Sequence, residues 1–149
     1  MKRIVQLHPF LVGLAIVAAE KIDSFIDEGE TEIIGCYDPE YCASYDEIAV
    51  SITRYTATFF IAHFPQKRKS ADLLFAQISA WLINQDLVNT AIQPDDATFV
   101  GNKFSWNVDI LNDDAANIEI RIPFREVVIA SAADNGEIEL DGKRYSLNE

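Results

Sequence analysis

The sequence predicts an α+β fold: a mainly antiparallel sheet with two helices packed on one face. Three observations predict it. Two stretches repeat apolar residues at helical spacing, several others alternate apolar and polar residues, and the order runs helix, strands, helix, then strand pairs.

Each element has its own signal. Over residues 9–28, Leu11, Leu14, Ala15, Ala18, Ile22, Phe25 and Ile26 fall on one helical face. Pro9 suits the first turn of such a helix and Gly29 its stop. The start, "MKRIVQLHPFLVGLAIVAAE", has the basic and apolar character of a leader. Its apolar spacing continues past any cleavage site, so an amphipathic helix is the expectation. "TEIIGCY" is a short strand, and residues 36–47, with Pro39 and several acids, form a loop excursion.

"AVSITRYTATFFIAHF", residues 49–64, is predicted as one long strand or two. From Tyr55 onward, Tyr55, Ala57, Phe59 and Ile61 share one face, while Arg54, Thr56 and Thr58 share the other. "PQKRKS" is a basic loop, and Ser70 can cap the helix "ADLLFAQISAWLINQD". Leu74, Ile78, Trp81 and Leu82 form that helix's apolar stripe, with Asp72 favourably placed in its first turn. A polar loop around residues 93–102 leads to "FSWNVDILNDDAANIEIRIPF". There Phe104, Trp106, Val108 and Ile110 alternate with polar residues, as do Ile118, Ile120, Ile122 and Phe124. Both strands are expected to bury these rows. After Pro123 the alternation breaks, which argues for an edge, a bulge or the sheet's end. A last hairpin over 137–147 turns at Asp141-Gly142. The whole chain, 1–149, is expected to be a single domain.

Composition narrows the function. Twelve basic residues against twenty-four acidic ones give a formal charge of −12. Gripping a nucleic-acid backbone takes Lys and Arg, so direct nucleic-acid binding is not expected. Two cysteines are too few for a secreted disulfide framework. No stretch reaches the ~20 apolar residues of a membrane span. A soluble protein of the cytoplasm is the default expectation.

Asp95, Asp96, Asp109, Asp113, Asp114 and Glu119 are the candidates for chemistry. A magnesium-dependent nuclease needs two or three carboxylates converging on the ion, with a cation to steady the attacking water. Asp109 and Glu119 on one hairpin face, with Arg121 as that cation, is the best such arrangement. Against it, Asn112, Asp113 and Asp114 are turn formers, and a polar hairpin face is what water requires. Cys36 and Cys42 are too widely spaced for a Cys-x-x-Cys zinc knuckle, and reduced thiols are expected. His8 and His63 have no recognisable partners, and His63 is expected to be structural. No nucleophile elbow and no phosphate-cradling glycine loop occurs. Trp81 and Trp106 are expected in the core. No catalytic, cofactor-binding or metal residue is therefore assigned.

"RYTATFFIAHF", then "ADLLFAQISAWLINQ", then "KFSWNVDILNDDAANIEIRIPFREVVI" resembles the phage tail completion protein R family of contractile-tailed phages, which is grouped with tail terminators. The resemblance covers roughly residues 50–130. Its most specific marks are Ala80-Trp81-Leu82, Asp109-Ile110-Leu111-Asn112-Asp113 and Arg54-Tyr55-Thr56. It implies a structural protein of the virion tail, made in the host cytoplasm, with no enzymatic activity and no cofactor. Such a protein caps the tail tube and forms part of the head–tail joining interface. The implied partners are further copies of itself, commonly in a hexameric ring, the tail tube or sheath protein, and head connector proteins. The acidity would then suit a channel wall that repels DNA phosphates. The C-terminal segment and the 30–50 region are the expected contacts with neighbours. Two alternatives stand beside this reading: a small acidic metal-dependent phosphodiesterase using Asp109, Asp113 and Glu119, and another head–tail connector subunit of similar fold.

Overall fold

The structure, a computed structural model, describes residues 1–85 and 103–148. Its elements are α1 (Lys2–Gly13), β1 (Ile22–Cys36), β2 (Glu47–Phe64), α2 (Ala71–Asn84), β3 (Ser105–Ile110), β4 (Ala116–Ala132), β5 (Ile138–Leu140) and β6 (Lys143–Leu147). The strands form one sheet in the order β1-β2-β4-β6-β5, and β3 pairs with β4 beside that path. The α+β expectation holds.

The described chain clusters into two compact units, residues 1–28 with 55–125, and 29–54 with 126–149. The first unit holds the main core. Tyr55, Ala57, Phe59 and Ile61 of β2 and Ile118, Ile120, Ile122 and Phe124 of β4 turn one face of the sheet toward both helices. α1 contributes Ile4, Leu7 and Leu11, and α2 contributes Leu74, Ile78, Trp81 and Leu82. Each large side chain so buried contributes roughly 1.5–3 kcal/mol. At the start of α2, Ser70 Oγ accepts from the Leu73 N–H at 3.2 Å, the cap its sequence position calls for. In the second unit, Ile48, Ala130 and Tyr145 form a smaller cluster. There Asp141 (φ 51°) and Gly142 (φ 77°) make the two-residue turn between β5 and β6, where both central positions need positive φ.

The alternation predicted from Tyr55 onward and the break predicted after Pro123 both mark real boundaries. Up to residue 54 β2 buries residues in no simple period, and beyond it every second residue is buried through Ile61. The αL residue His63 (φ 56°) then inserts one position, so that Phe64 rather than residue 63 reaches the core. On β4 the alternation lasts to Phe124 and fails at the buried Arg125. Pro123 does not end the strand. It lies between the last β4 residue paired with β3, Arg121, and the first paired with β6, Ala130. Among the described residues, no strand is paired with it on that side, so there is no ladder bond there for a missing N–H to break.

Two expectations are corrected. The N-terminal helix starts at Lys2 and ends at Gly13, not over 9–28, and Ile22, Phe25 and Ile26 belong to β1. A spacing of four, Ile22 to Ile26, fits a helix and a strand equally. Phe25, which fits only the helical spacing, is exposed while Ile22, Ser24 and Ile26 turn inward. Pro9 therefore sits inside α1 and removes the N–H that would bond the Val5 carbonyl, at a cost of about 3 kcal/mol in a helix interior. The second correction concerns β3. Its row lies on the core side, with Trp106 opposite Ile120 and Val108 opposite Ile118. Yet Trp106 remains 56% exposed, because among the described residues β3 has a neighbour strand on one side alone. Phe75 of α2 stacks on it at 5.1 Å between centroids and covers one side.

The end of α1 carries a testable strain. Leu14 caps the helix, and Ala15 follows with φ 53°, a conformation that disfavours a Cβ. Ala15→Gly is expected to raise stability by about 1 kcal/mol, read as a higher urea midpoint with an unchanged slope.

Candidate functional site

Among the described residues, the carboxylates singled out in the sequence do not converge. Asp95 and Asp96 lie outside the described residues. Asp109 is exposed on β3 opposite Asn117, and Glu119 stands opposite Asn107. Asp113 and Asp114 sit in the β3–β4 turn, where Asn112 Oδ1 accepts from the Asp114 and Ala115 N–H groups at 2.8 and 2.9 Å. That is the turn chemistry these residue types favour. Lys67 of the basic loop lies 3.4 Å from Asp114, and Gln66 donates to the Asn112 carbonyl at 2.7 Å.

Arg121 is committed elsewhere. Its Nη1 donates to Asp27 Oδ2 at 2.7 Å and lies 3.6 Å from Glu119. The same Asp27 oxygen accepts from Thr58 Oγ1 at 3.0 Å. Asp27, Thr58 and Arg121 thus tie three successive strands, β1, β2 and β4, together on the face away from the helices. Thr58 is buried and the two charged partners are half-exposed. This ladder holds the sheet's polar face and leaves the arginine no free geometry for an attacking water. Among the described residues, no group of three or more His, Cys, Asp or Glu side chains is placed to hold a metal ion. Cys36 is exposed, Cys42 is buried, and both are free.

The feature that sequence reasoning missed is an apolar groove of about 460 Å³ in the first unit. α1 supplies Val5, His8 and Pro9, and β1 supplies Ser24, Phe25 and Ile26. Its one polar pair is His8 Nδ1 with Ser24 Oγ, at 2.8 Å. The pair gives His8 the partner the sequence did not reveal. Val5 is 69% exposed and Phe25 47%, so both walls present hydrocarbon to water. Reading 22–26 as helix hid this groove, because it placed both walls on one element. The signal that finds it is the strand alternation of Ile22, Ser24 and Ile26 against Asp23 and Asp27.

The remaining exposed apolar side chains are scattered. Ile33 on β1 is 87% exposed. Tyr45 is as open and rests against Tyr37 at 4.8 Å between centroids. Among the described residues, no helix is long and apolar enough to cross a membrane.

What emerges is a closed core with an apolar groove beside it, and with acids employed in turns and strand ties. The comparisons with known proteins agree in kind. An uncharacterized 19.2 kDa protein from the rep-hol intergenic region of Haemophilus phage HP1 is 26% identical over 102 residues. The match takes in 68% of this chain and 57% of that protein, so it spans little more than half of the relative's length. No solved structure matches. The model of the P2 phage tail completion protein R (GpR) family matches residues 1–149, the full length of the chain. A phage relative and a match over every element described above lead to one conclusion: this chain belongs to the P2 phage tail completion protein R family and has a structural role in the phage tail.

Proposed function

We propose that the chain is a tail terminator: 1–149 works as one subunit of a ring, commonly a hexamer, that caps the tail tube and meets the head connector proteins. The full-length family match carries this reading. The chemistry of the surface supports it. The formal charge of −12 suits a wall past which DNA slides without being held, since carboxylates repel phosphate. On the polar face of the hairpin, Arg121 is held by Asp27, which Thr58 also bonds.

Electron microscopy and light scattering of the purified protein are expected to give closed rings that bind tube ends. A monomer at all accessible concentrations that ignores tubes overturns the proposal. Titration with magnesium or manganese in a calorimeter is expected to give no saturable heat in the micromolar to millimolar range. Stoichiometric binding that is lost in Asp109→Asn would instead support the phosphodiesterase reading.

A further inference from the structure

We infer that the tyrosine-bearing loop between β1 and β2 receives Arg68 and Lys69 of a second copy of this chain, in a head-to-tail contact. The inference rests on the ring reading above and names the seam by which the ring closes. Tyr37 and Tyr45 lie 4.8 Å apart between ring centroids, and Tyr45 is 88% exposed. A ring so open adds little to its own core, and its face can take a cation. Glu40 and Asp46 are exposed on the same loop, and neither carboxylate has a partner among the described residues. The loop is held in shape from within. The Tyr41 and Cys42 N–H groups donate to the Asp38 carbonyl at 3.1 and 2.8 Å. Glu47 Oε1 accepts from the Ala43 and Ser44 N–H groups at 2.6 and 3.1 Å, and its Oε2 accepts from Asn148 Nδ2. The platform is therefore formed before a partner arrives, which lowers the cost of binding.

Charge names the partner. The unit of residues 29–54 with 126–149 holds twelve acids against three cations, and the other unit holds nine of the chain's twelve cations. Basic residues stand side by side at Lys2-Arg3, Lys67-Arg68-Lys69 and Lys143-Arg144. Arg3 is bonded to Gln6, and Arg144 is tied to Glu139 and to the Gly136 carbonyl. Lys67 lies against Asp114 at 3.4 Å, and Gln66 donates to the Asn112 carbonyl, which pins the basic loop to the β3–β4 turn. The Arg68 and Lys69 N–H groups both donate to the Pro65 carbonyl at 2.9 Å. Their side chains are exposed and have no partner among the described residues. Two free cations on a fixed turn thus match two free carboxylates beside an open aromatic ring. Copies that each carry −12 repel one another, so a seam between them needs its free cations set against acids. The two loops stand at the two ends of one unbroken strand, β2, and are different surfaces. The contact is therefore heterologous. Repeated, it gives a closed ring or an open filament rather than a two-fold dimer.

Two double variants test the contact: Tyr45→Ser with Glu40→Lys spoils the platform, and Arg68→Glu with Lys69→Glu spoils the basic loop. All four side chains are exposed, so both variants are expected to melt as the wild type does. In sedimentation experiments each should weaken assembly about a hundredfold, and Tyr45→Ser alone about tenfold. Mixed in equal amounts, at a concentration where each is monomeric, they should form a dimer and no larger species. One intact platform then meets one intact basic loop. Reversing both sides in one chain, Glu40→Lys and Asp46→Lys with Arg68→Glu and Lys69→Glu, should restore most of the assembly. Wild-type assembly in either double variant, a monomeric mixture or absence of restoration overturns the contact while leaving the ring reading intact. Intact rings that no longer bind tube ends would assign these loops to the tube protein, which also overturns it. A wild-type protein that is itself monomeric overturns the ring reading, and this seam with it.

Discussion

Phe124→Ala is expected to lower stability by about 3–5 kcal/mol, a large share of the roughly 5–15 kcal/mol of a domain this size. Phe124 is fully buried on β4 and its ring lies 5.8 Å from that of Tyr55. Removing it loses the transfer free energy of the ring and leaves a cavity between two strands that cannot close in. Trp106→Ala should cost much less, about 1–2 kcal/mol. Half of the indole is already in water, and the loss is mainly its stacking on Phe75. Urea denaturation of the two variants side by side gives the comparison. Equal losses would mean that Trp106 is as deeply packed as its place in the pattern first suggested. A small loss for Phe124→Ala would mean that the β4 row is not the core.

That contrast shows how far the sequence could be read. Alternation along a strand reports which face looks inward, and on β4 it did so through Phe124; on β3 the expected buried row fails at Trp106 and Ile110, which are 56% and 68% exposed. It does not report whether anything lies above that face. β4 is an inner strand and its row is sealed, whereas among the described residues β3 is an edge and its row is half open. The helix α2 was legible throughout, because Ser70, Asp72 and the stripe at Leu74, Ile78, Trp81 and Leu82 all agreed. The N-terminal helix was not. Apolar residues four apart satisfy both periods, and Pro9 has a respectable place at a helix start that it does not occupy here. The turn role of Asn112 and its neighbours was readable because it depends on local bonds alone. The Asp27–Thr58–Arg121 tie was not, since it joins side chains far apart in the chain, and the groove was not, since both its walls were read as one helix.

Gly136→Ala is expected to be the most damaging change in the second unit. A Cβ on Gly136 would lie 2.2 Å from the carbonyl oxygen, 2.4 Å from the carbonyl carbon and 2.8 Å from the nitrogen of Tyr145. These are backbone atoms of β6, so no rotamer change relieves the clash. The turn before the hairpin is also fixed. The Gly136 N–H donates to the Ala133 carbonyl at 3.0 Å, and the Ala133 N–H donates to the Arg144 carbonyl at 3.0 Å. Arg144 Nη1 donates in turn to the Gly136 carbonyl, also at 3.0 Å. Relief therefore requires β6 to move off, which breaks its pairing with β4 at Ala130 to Ala132 and uncovers Tyr145. The cost should be about 3 kcal/mol or more, at the upper end for overpacking. Gly142→Ala provides the control: it meets no atom within 4 Å and suffers only from φ 77°, about 1 kcal/mol. Hydrogen exchange separates the two. Gly136→Ala should strip protection from the amides of Tyr145 and Leu147 while leaving Ile120 and Phe59 protected, because a peeled hairpin is a local opening. Gly142→Ala should change protection at these sites far less. Retained protection in Gly136→Ala would mean that β6 does not cross over Gly136 as described.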